Sequence, residues 1–168
     1  VRDARDHGVE VRPICVNHST WDNRLERRPD GALALRLGFR QIKGFRQADA
    51  DRIAACRGNG YPDPESLWLR AGIAPPVLER LAESDTFAGQ GYSRRDALWS
   101  VRAIRAPTPL PLFSDPLDGE GLREPAVSLP AMHLGEEVVE DYVATRLTLR
   151  AHPMELLRPR LPESLPHD

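Results

Sequence analysis

The chain is 168 residues long and near neutral overall, with 23 Lys+Arg against 25 Asp+Glu, a length that suits one domain or two small ones. No apolar run reaches membrane-spanning length and no charged-then-apolar leader is present, so the expectation is a soluble intracellular protein. Cys15 and Cys56 stand alone, without CxxC or Cys/His spacing, which indicates neither a zinc site nor a disulfide framework.

The chain starts at Val1 rather than Met, and the opening VRDARDHG reads as a short helix ending at Gly8, in what we take for an excised piece of a longer protein. VEVRPICV then alternates like a strand until Pro13 interrupts it. In WDNRLERRPDGALALRLGF, Asp30-Gly31 lies between two runs and predicts a β-hairpin with Leu33, Leu35 and Leu37 on one face.

The most informative stretch follows. LRLGFRQIKGFRQADADRIAACR, from Leu35 to Arg57, reads as a strand end, a short glycine turn and an amphipathic helix, the layout of a helix-hairpin-helix element that grips a nucleic-acid backbone. The chain's one lysine, Lys43, sits in that turn beside Gly44, while every other Lys/Arg position is arginine. Glycine lets backbone approach a ligand, amides at a helix start favour an anion, and Lys43 with Arg46 adds mobile and fork-shaped donors. Arg36, Arg40, Lys43, Arg46, Arg52 and Arg57 face Asp49 and Asp51, a local excess of four positive charges that favours a polyanion. The alternative on composition alone is a glycine turn before a surface helix with solvated arginines.

The helix over about Gln47 to Arg57 places Ala50, Ile53, Ala54 and Arg57 on one side, and Gly58-Asn59-Gly60 stops it. In YPDPESLWLRAG, Asp63 suits an N-cap, Pro64 the first helical position and Gly72 the residue after the end. Pro75 opens a helix presenting Val77, Leu78, Leu81 and Ala82, ending near Ser84, and Ser93 with Asp96 fits a capping box ahead of Ala97, Leu98, Val101 and Ile104. APTPLPLFSDPLDGEGLREPAVSLP, rich in Pro, Gly and acid, reads as an extended linker. Its exception, Leu110-Pro111-Leu112-Phe113, is either a docking peptide or a strip that packs back on its own domain. Ser114 to Asp141 holds Asp115, Asp118, Glu120, Glu124, Glu136, Glu137, Glu140 and Asp141 against Arg123, so basic and acidic halves suggest different neighbours. GEEVVEDYVATRL is a short amphipathic helix carrying Val138, Val139, Tyr142 and Val143. After it, His152-Pro153 ends a possible strand, and the tail frays from Pro159.

Catalytic signatures are absent. Asp49 and Asp51 lie two apart and read as a solvated pair, Asp63 and Glu65 fit capping, and His18 beside Ser19 and Asp22 is at most a weak acid/base candidate. There is no GxSxG, Walker loop or GxGxxG. On residues alone this chain binds rather than catalyses, with no metal site and no cofactor of its own. The predicted fold class is mainly α with a small β part: a module of short helices preceded by a β-hairpin and followed by an extended linker and a short helix.

The ordered stretches RDARDHGVEVRPICVNHSTWD, GALALRLGFRQIKGF, SRRDALWSVRAI and GEEVVEDYVATRLTLRAHPMELLR closely resemble the region after the catalytic core in bacterial family C DNA polymerases. The likeness is strongest to the error-prone paralogue of the replicative polymerase III alpha subunit, and it spans Ala4 to Arg158. It implies a cytoplasmic protein that extends DNA from nucleoside triphosphates in damage-tolerant, mutagenic synthesis. Residues 1–39 would then end the fingers region, 40–105 form a helix-hairpin-helix domain on duplex DNA, 106–134 a linker, and 135–168 a helix and the approach to an oligonucleotide-binding barrel. Carried over by residue, the turn Ile42-Lys43-Gly44-Phe45 contacts DNA, and the expected DNA-binding set is Arg40, Gln41, Lys43, Gly44, Phe45 and Arg46. Arg46 stands where family hairpins often carry a second glycine, which favours side-chain over amide contacts. The family's metal-binding carboxylates lie in a palm that no stretch here matches. Mg2+ is therefore expected for the parent polymerase only, and this piece alone should be inactive. Pro109 to Phe113 occupies the place of a sliding-clamp peptide, with Pro109 where glutamine usually begins it. Leu110, Leu112 and Phe113 are then weak partner-binding candidates, and accessory mutagenesis proteins are possible partners. The competing reading is a protein-interaction module recruiting such proteins through the acidic linker and this strip.

Overall fold

The computed structural model describes residues 1–104 and 129–160. The fold is α+β and mainly helical. Helix α1 (Arg2–Asp6) leads into three short strands, β1 (Glu10–Arg12), β2 (Arg24–Arg27) and β3 (Leu33–Arg36). They form one sheet in the order β1-β3-β2, with β1 parallel and β2 antiparallel to β3. The β2–β3 hairpin turns at Asp30-Gly31 as its dipeptide predicts: Gly31 has φ 83° and the Asp30 carboxylate accepts from the Ala32 N–H at 3.0 Å.

The expected leucine face is incomplete. Leu33 is 48% exposed and Leu35 half-buried, so of the three only Leu37 reaches the core. The opposite face explains the difference. There Arg12 and Arg36 bracket Glu26 across the three strands, at 2.9 and 3.0 Å, beside buried Ala34. A cross-strand ion-pair row holds the sheet together in place of an apolar layer.

The helical module follows a 3-10 turn (Phe39–Gln41) and comprises α2 (Gln47–Ala55), α3 (Pro64–Ala71), α4 (Pro75–Glu83) and α5 (Arg94–Ala103). Its boundaries follow the capping chemistry. The Asp63 carboxylate accepts from Ser66 N–H at 2.6 Å with Pro64 in the first turn, and Gly72 closes α3 at φ 58°. Ser93 Oγ accepts from Asp96 N–H at the start of α5, but the Asp96 carboxylate takes the Ser93 hydroxyl proton rather than reaching the backbone, so only half of the capping box forms. α2 ends two residues before Arg57, whose guanidinium turns inward.

One core joins these pieces. Ile14, Val16 and Leu37 pack in the same cluster as Phe39, Phe45, Ile53, Tyr61, Leu67, Leu78, Leu81, Phe87 and Val101, so residues on both sides of position 40 share it. Two of the buried hydroxyls are satisfied by backbone groups. The Ser19 hydroxyl donates to Leu37 O at 2.7 Å and accepts from Cys15 N–H at 3.0 Å, and the Tyr61 hydroxyl donates to Ile53 O at 2.8 Å. Ser19 is therefore a structural hydroxyl, and both cysteines are free.

C-terminal to residues 105–128, α6 (Leu134–Thr145) and α7 (Pro153–Leu157) follow, with a 3-10 turn over Arg158–Arg160, and α6 packs on α4. The strand expected before His152-Pro153 does not form. Instead the His152 imidazole accepts from Met154 N–H at 3.2 Å and Pro153 opens α7, because proline serves as well at a helix start as at a strand end. The predicted amphipathic face of α6 is only partly used: Val138 is buried, while Val139 and Val143 are 59% and 60% exposed. Among the described residues no helix is long and apolar enough to cross a membrane.

Candidate nucleic-acid interface

The turn between the 3-10 segment and α2 is held by two apolar anchors. Ile42 and Phe45 are both buried, with the Phe45 ring stacked on Phe39 at 5.6 Å between centroids. Phe45 N–H donates to Ile42 O at 3.2 Å, closing the turn. Gly44 sits at φ 69°, a conformation that costs an L-residue about 1–2 kcal/mol, which is why glycine stands there. Buried anchors on either side leave Lys43 and Gly44 at the tip.

The candidate side chains then separate. Lys43 and Gly44 line a cavity of about 360 Å³ together with Arg80, Glu83, Glu140 and Val143. Arg40 lies elsewhere, on Asp22 at 2.7 Å, and Gln41 faces Asn23 at 3.5 Å. Arg46, the N-cap of α2, keeps an exposed side chain but pairs through Nε with Asp49 at 3.2 Å. Asp49 is buried rather than solvated, correcting the expectation of a solvent-facing Asp49/Asp51 pair: at the third position of α2 its carboxylate complements the helix N-terminus. Phe45 is an anchor whose ring faces the core. Leu110, Leu112 and Phe113 lie outside the described residues.

The charge excess of the run 36–57 is largely consumed inside the fold. Arg36 is held on Glu26, and Arg57 donates inward to the Val16 and Ser19 carbonyls, where burial pushes its pKa below the ordinary arginine value. Arg52 donates to Gly72 O at 3.3 Å. Among the described residues Lys43 is the member of the run whose side chain has no partner. Its backbone is engaged, since Lys43 N–H donates to Ala144 O at the end of α6 at 2.9 Å. The tip therefore offers an ammonium rather than that amide.

A helix-hairpin-helix family model, described as "Helix-hairpin-helix motif", matches residues 8–97, more than half of the chain. The chain belongs to the helix-hairpin-helix motif family. It is 77% identical over its whole length to a protein of Ruegeria pomeroyi named error-prone DNA polymerase, covering 15% of that relative. It is 44% identical over 94% of its length to the error-prone DNA polymerase of Sinorhizobium medicae and 45% identical over 94% to that of Brucella abortus, covering 16% and 15% of those relatives. The chain thus spans about 15% of the length of the curated relatives it matches.

Within this helix-hairpin-helix module, sequence reasoning missed Arg80. Its Nη1 donates to Gly44 O at 2.7 Å, so it bears directly on the hairpin from α4. The signal was present in the recurrence of glycine and arginine at one spacing, Gly44/Arg52 and Gly72/Arg80. Among the described residues no group of three or more His, Cys, Asp or Glu side chains is placed to hold a metal ion.

Proposed function

We propose that this chain is a non-catalytic, sequence-independent duplex DNA-binding segment of an error-prone DNA-directed DNA polymerase that serves damage-induced mutagenesis and translesion synthesis in the bacterial cytoplasm. The observation that carries the reading is the Lys43 ammonium, without a partner among the described residues, beside Gly44 at the tip of a hairpin anchored by buried Ile42 and Phe45. A backbone-gripping turn reads charge and groove spacing rather than bases, since phosphates carry no sequence information. Arg40, Gln41 and Arg46 neighbour the tip in sequence; the Arg40–Asp22 pair is exposed on both sides and worth little, so a phosphate can displace it, whereas Arg46 is exposed but held on the buried Asp49 carboxylate. The Mg2+ implied by polymerase chemistry finds no cluster of three or more His, Cys, Asp or Glu side chains to hold it among the described residues. Accessory mutagenesis proteins are proposed partners through the acidic part of the linker and Leu110 to Phe113, which lie outside the described residues. A direct contact of Pro109 to Phe113 with a sliding clamp would be weak for want of the leading glutamine.

Titrating labelled random-sequence duplex at several salt concentrations tests the reading. Binding should weaken log-linearly with salt, by about 0.9 in slope for each phosphate engaged, and Lys43→Ala should remove about one unit of that slope. Arg46→Ala should weaken binding less, because Asp49 already shares its charge. An absence of binding at low salt would falsify direct DNA contact.

A further inference from the structure

The two glycine turns of the module are copies of one another. Helices α2 and α4 are each nine residues long and follow glycines at φ 69° and 58°. A shift of 28 residues, from Gln47 to Pro75, places Gly44 on Gly72, Phe45 on Ile73, Ala50 on Leu78, Ile53 on Leu81 and Arg52 on Arg80. Every apolar residue of those pairs is buried. The arginines cross between the copies: Arg80 donates to the Gly44 carbonyl at 2.7 Å, and Arg52 donates to the Gly72 carbonyl at 3.3 Å. Neither has an ion-pair partner among the described residues.

The copies differ in charge. Lys43 and Arg46 of the first turn correspond to Ala71 and Ala74 of the second. Lys43 and Arg46 have no basic counterpart in the second turn, and Arg80 shares a cavity wall with Lys43 in the first, where Glu83 and Glu140 also line the cavity. A guanidinium has five N–H donors in a rigid fork, so one bond to Gly44 O orients it while leaving donors for an anion. That bond also fixes the left-handed turn on which Lys43 sits.

We propose that Arg80, supplied by the second repeat, is a duplex-phosphate ligand of the first hairpin as well as the brace of its turn, whereas Arg52 braces the uncharged second turn without binding DNA. This rests on the reading that the Lys43 hairpin grips duplex DNA. The test is fluorescence anisotropy of the 168-residue chain on labelled duplex across a salt series, for wild type, Lys43→Ala, Arg80→Gln, Arg80→Lys and Arg52→Gln, with thermal melts to confirm folding. With Arg80→Lys as the control that keeps a cationic donor of similar reach, Arg80→Gln removes the charge and, being shorter than arginine, also releases the bond to Gly44 O. It should lower the salt slope by about one and weaken binding about tenfold near 50 mM salt. Arg80→Lys should restore the slope, and Arg52→Gln should leave it unchanged. If wild type binds and Lys43→Ala weakens it, an unchanged slope in Arg80→Gln overturns the role of Arg80 alone, as does an equal loss in Arg52→Gln, which would mark a net-charge effect. If wild type fails to bind at low salt, the duplex-binding reading falls and this role with it.

Discussion

Arg57 belongs to the cationic run that marks the hairpin in the sequence, yet its side chain serves the fold, donating from Nε to Val16 O at 3.0 Å. Lys43, in the same run, has no side-chain partner among the described residues. Charge counting treats the two alike, because only the three-dimensional neighbours separate a structural cation from an available one. Gly38 is a similar case. Its φ of −93° is ordinary, so nothing local demands glycine. A Cβ there would meet Trp21 O at 2.3 Å and the Asp22 carbonyl carbon at 2.5 Å, both backbone. Gly38→Ala should therefore lower stability by about 3 kcal/mol, the upper end for overpacking, since backbone cannot rotate aside. Urea denaturation measures it, and a loss below about 0.5 kcal/mol would show that the 20–23 segment shifts freely.

At the scale of elements, the helices of the module were legible because capping is local chemistry. Asp63-Pro64 and Gly72 set the limits of α3, and Pro75 the start of α4, with little help from elsewhere in the chain. The sheet was legible only as a hairpin. The parallel pairing of β1 with β3 joins residues far apart in sequence, and the charged row of Arg12, Glu26 and Arg36 depends on that register. The Arg36 hydrogen bond, reinforced by Arg12, holds the Glu26 carboxyl below its usual 4.5. A depressed carboxylate contributes stability that is present above the unfolded value and lost as pH falls through the folded one. Wild type should thus lose stability as pH drops below about 4.5, and Glu26→Gln should flatten that acid limb while lowering stability at neutral pH. Urea midpoints between pH 3 and 7 report it; parallel acid limbs for the two proteins would remove Glu26 from the account.

Over the whole molecule, the acidic block read as facing other neighbours is partly answered within the chain. Arg94 is 2% exposed and donates to Asp141 of α6, with Glu137 at 3.2 Å. Arg150 reaches Asp141, Glu137 and Asp85, and Arg95 reaches Glu136 at 3.3 Å. These pairs dock α6 so that its Ala144 carbonyl takes the Lys43 amide. Arg94→Ala would leave two largely buried carboxylates with Arg150 as their one cation among the described residues, at a cost of about 3 kcal/mol. Hydrogen exchange should then speed up at the Lys43 amide, whereas full protection there would mean that α6 docks by its apolar contacts.

The sequence by itself determined the α+β class, the limits of α3 and the start of α4, the hairpin at Asp30-Gly31 and the position of the Lys43-Gly44 turn, because turn glycines, prolines and caps act within a few residues. Tertiary structure decided which cations remain available, which leucines are buried, and that Arg80 and α6 meet the hairpin. Those outcomes depend on partners brought from distant parts of the chain, and burial there changes what each charged group can do.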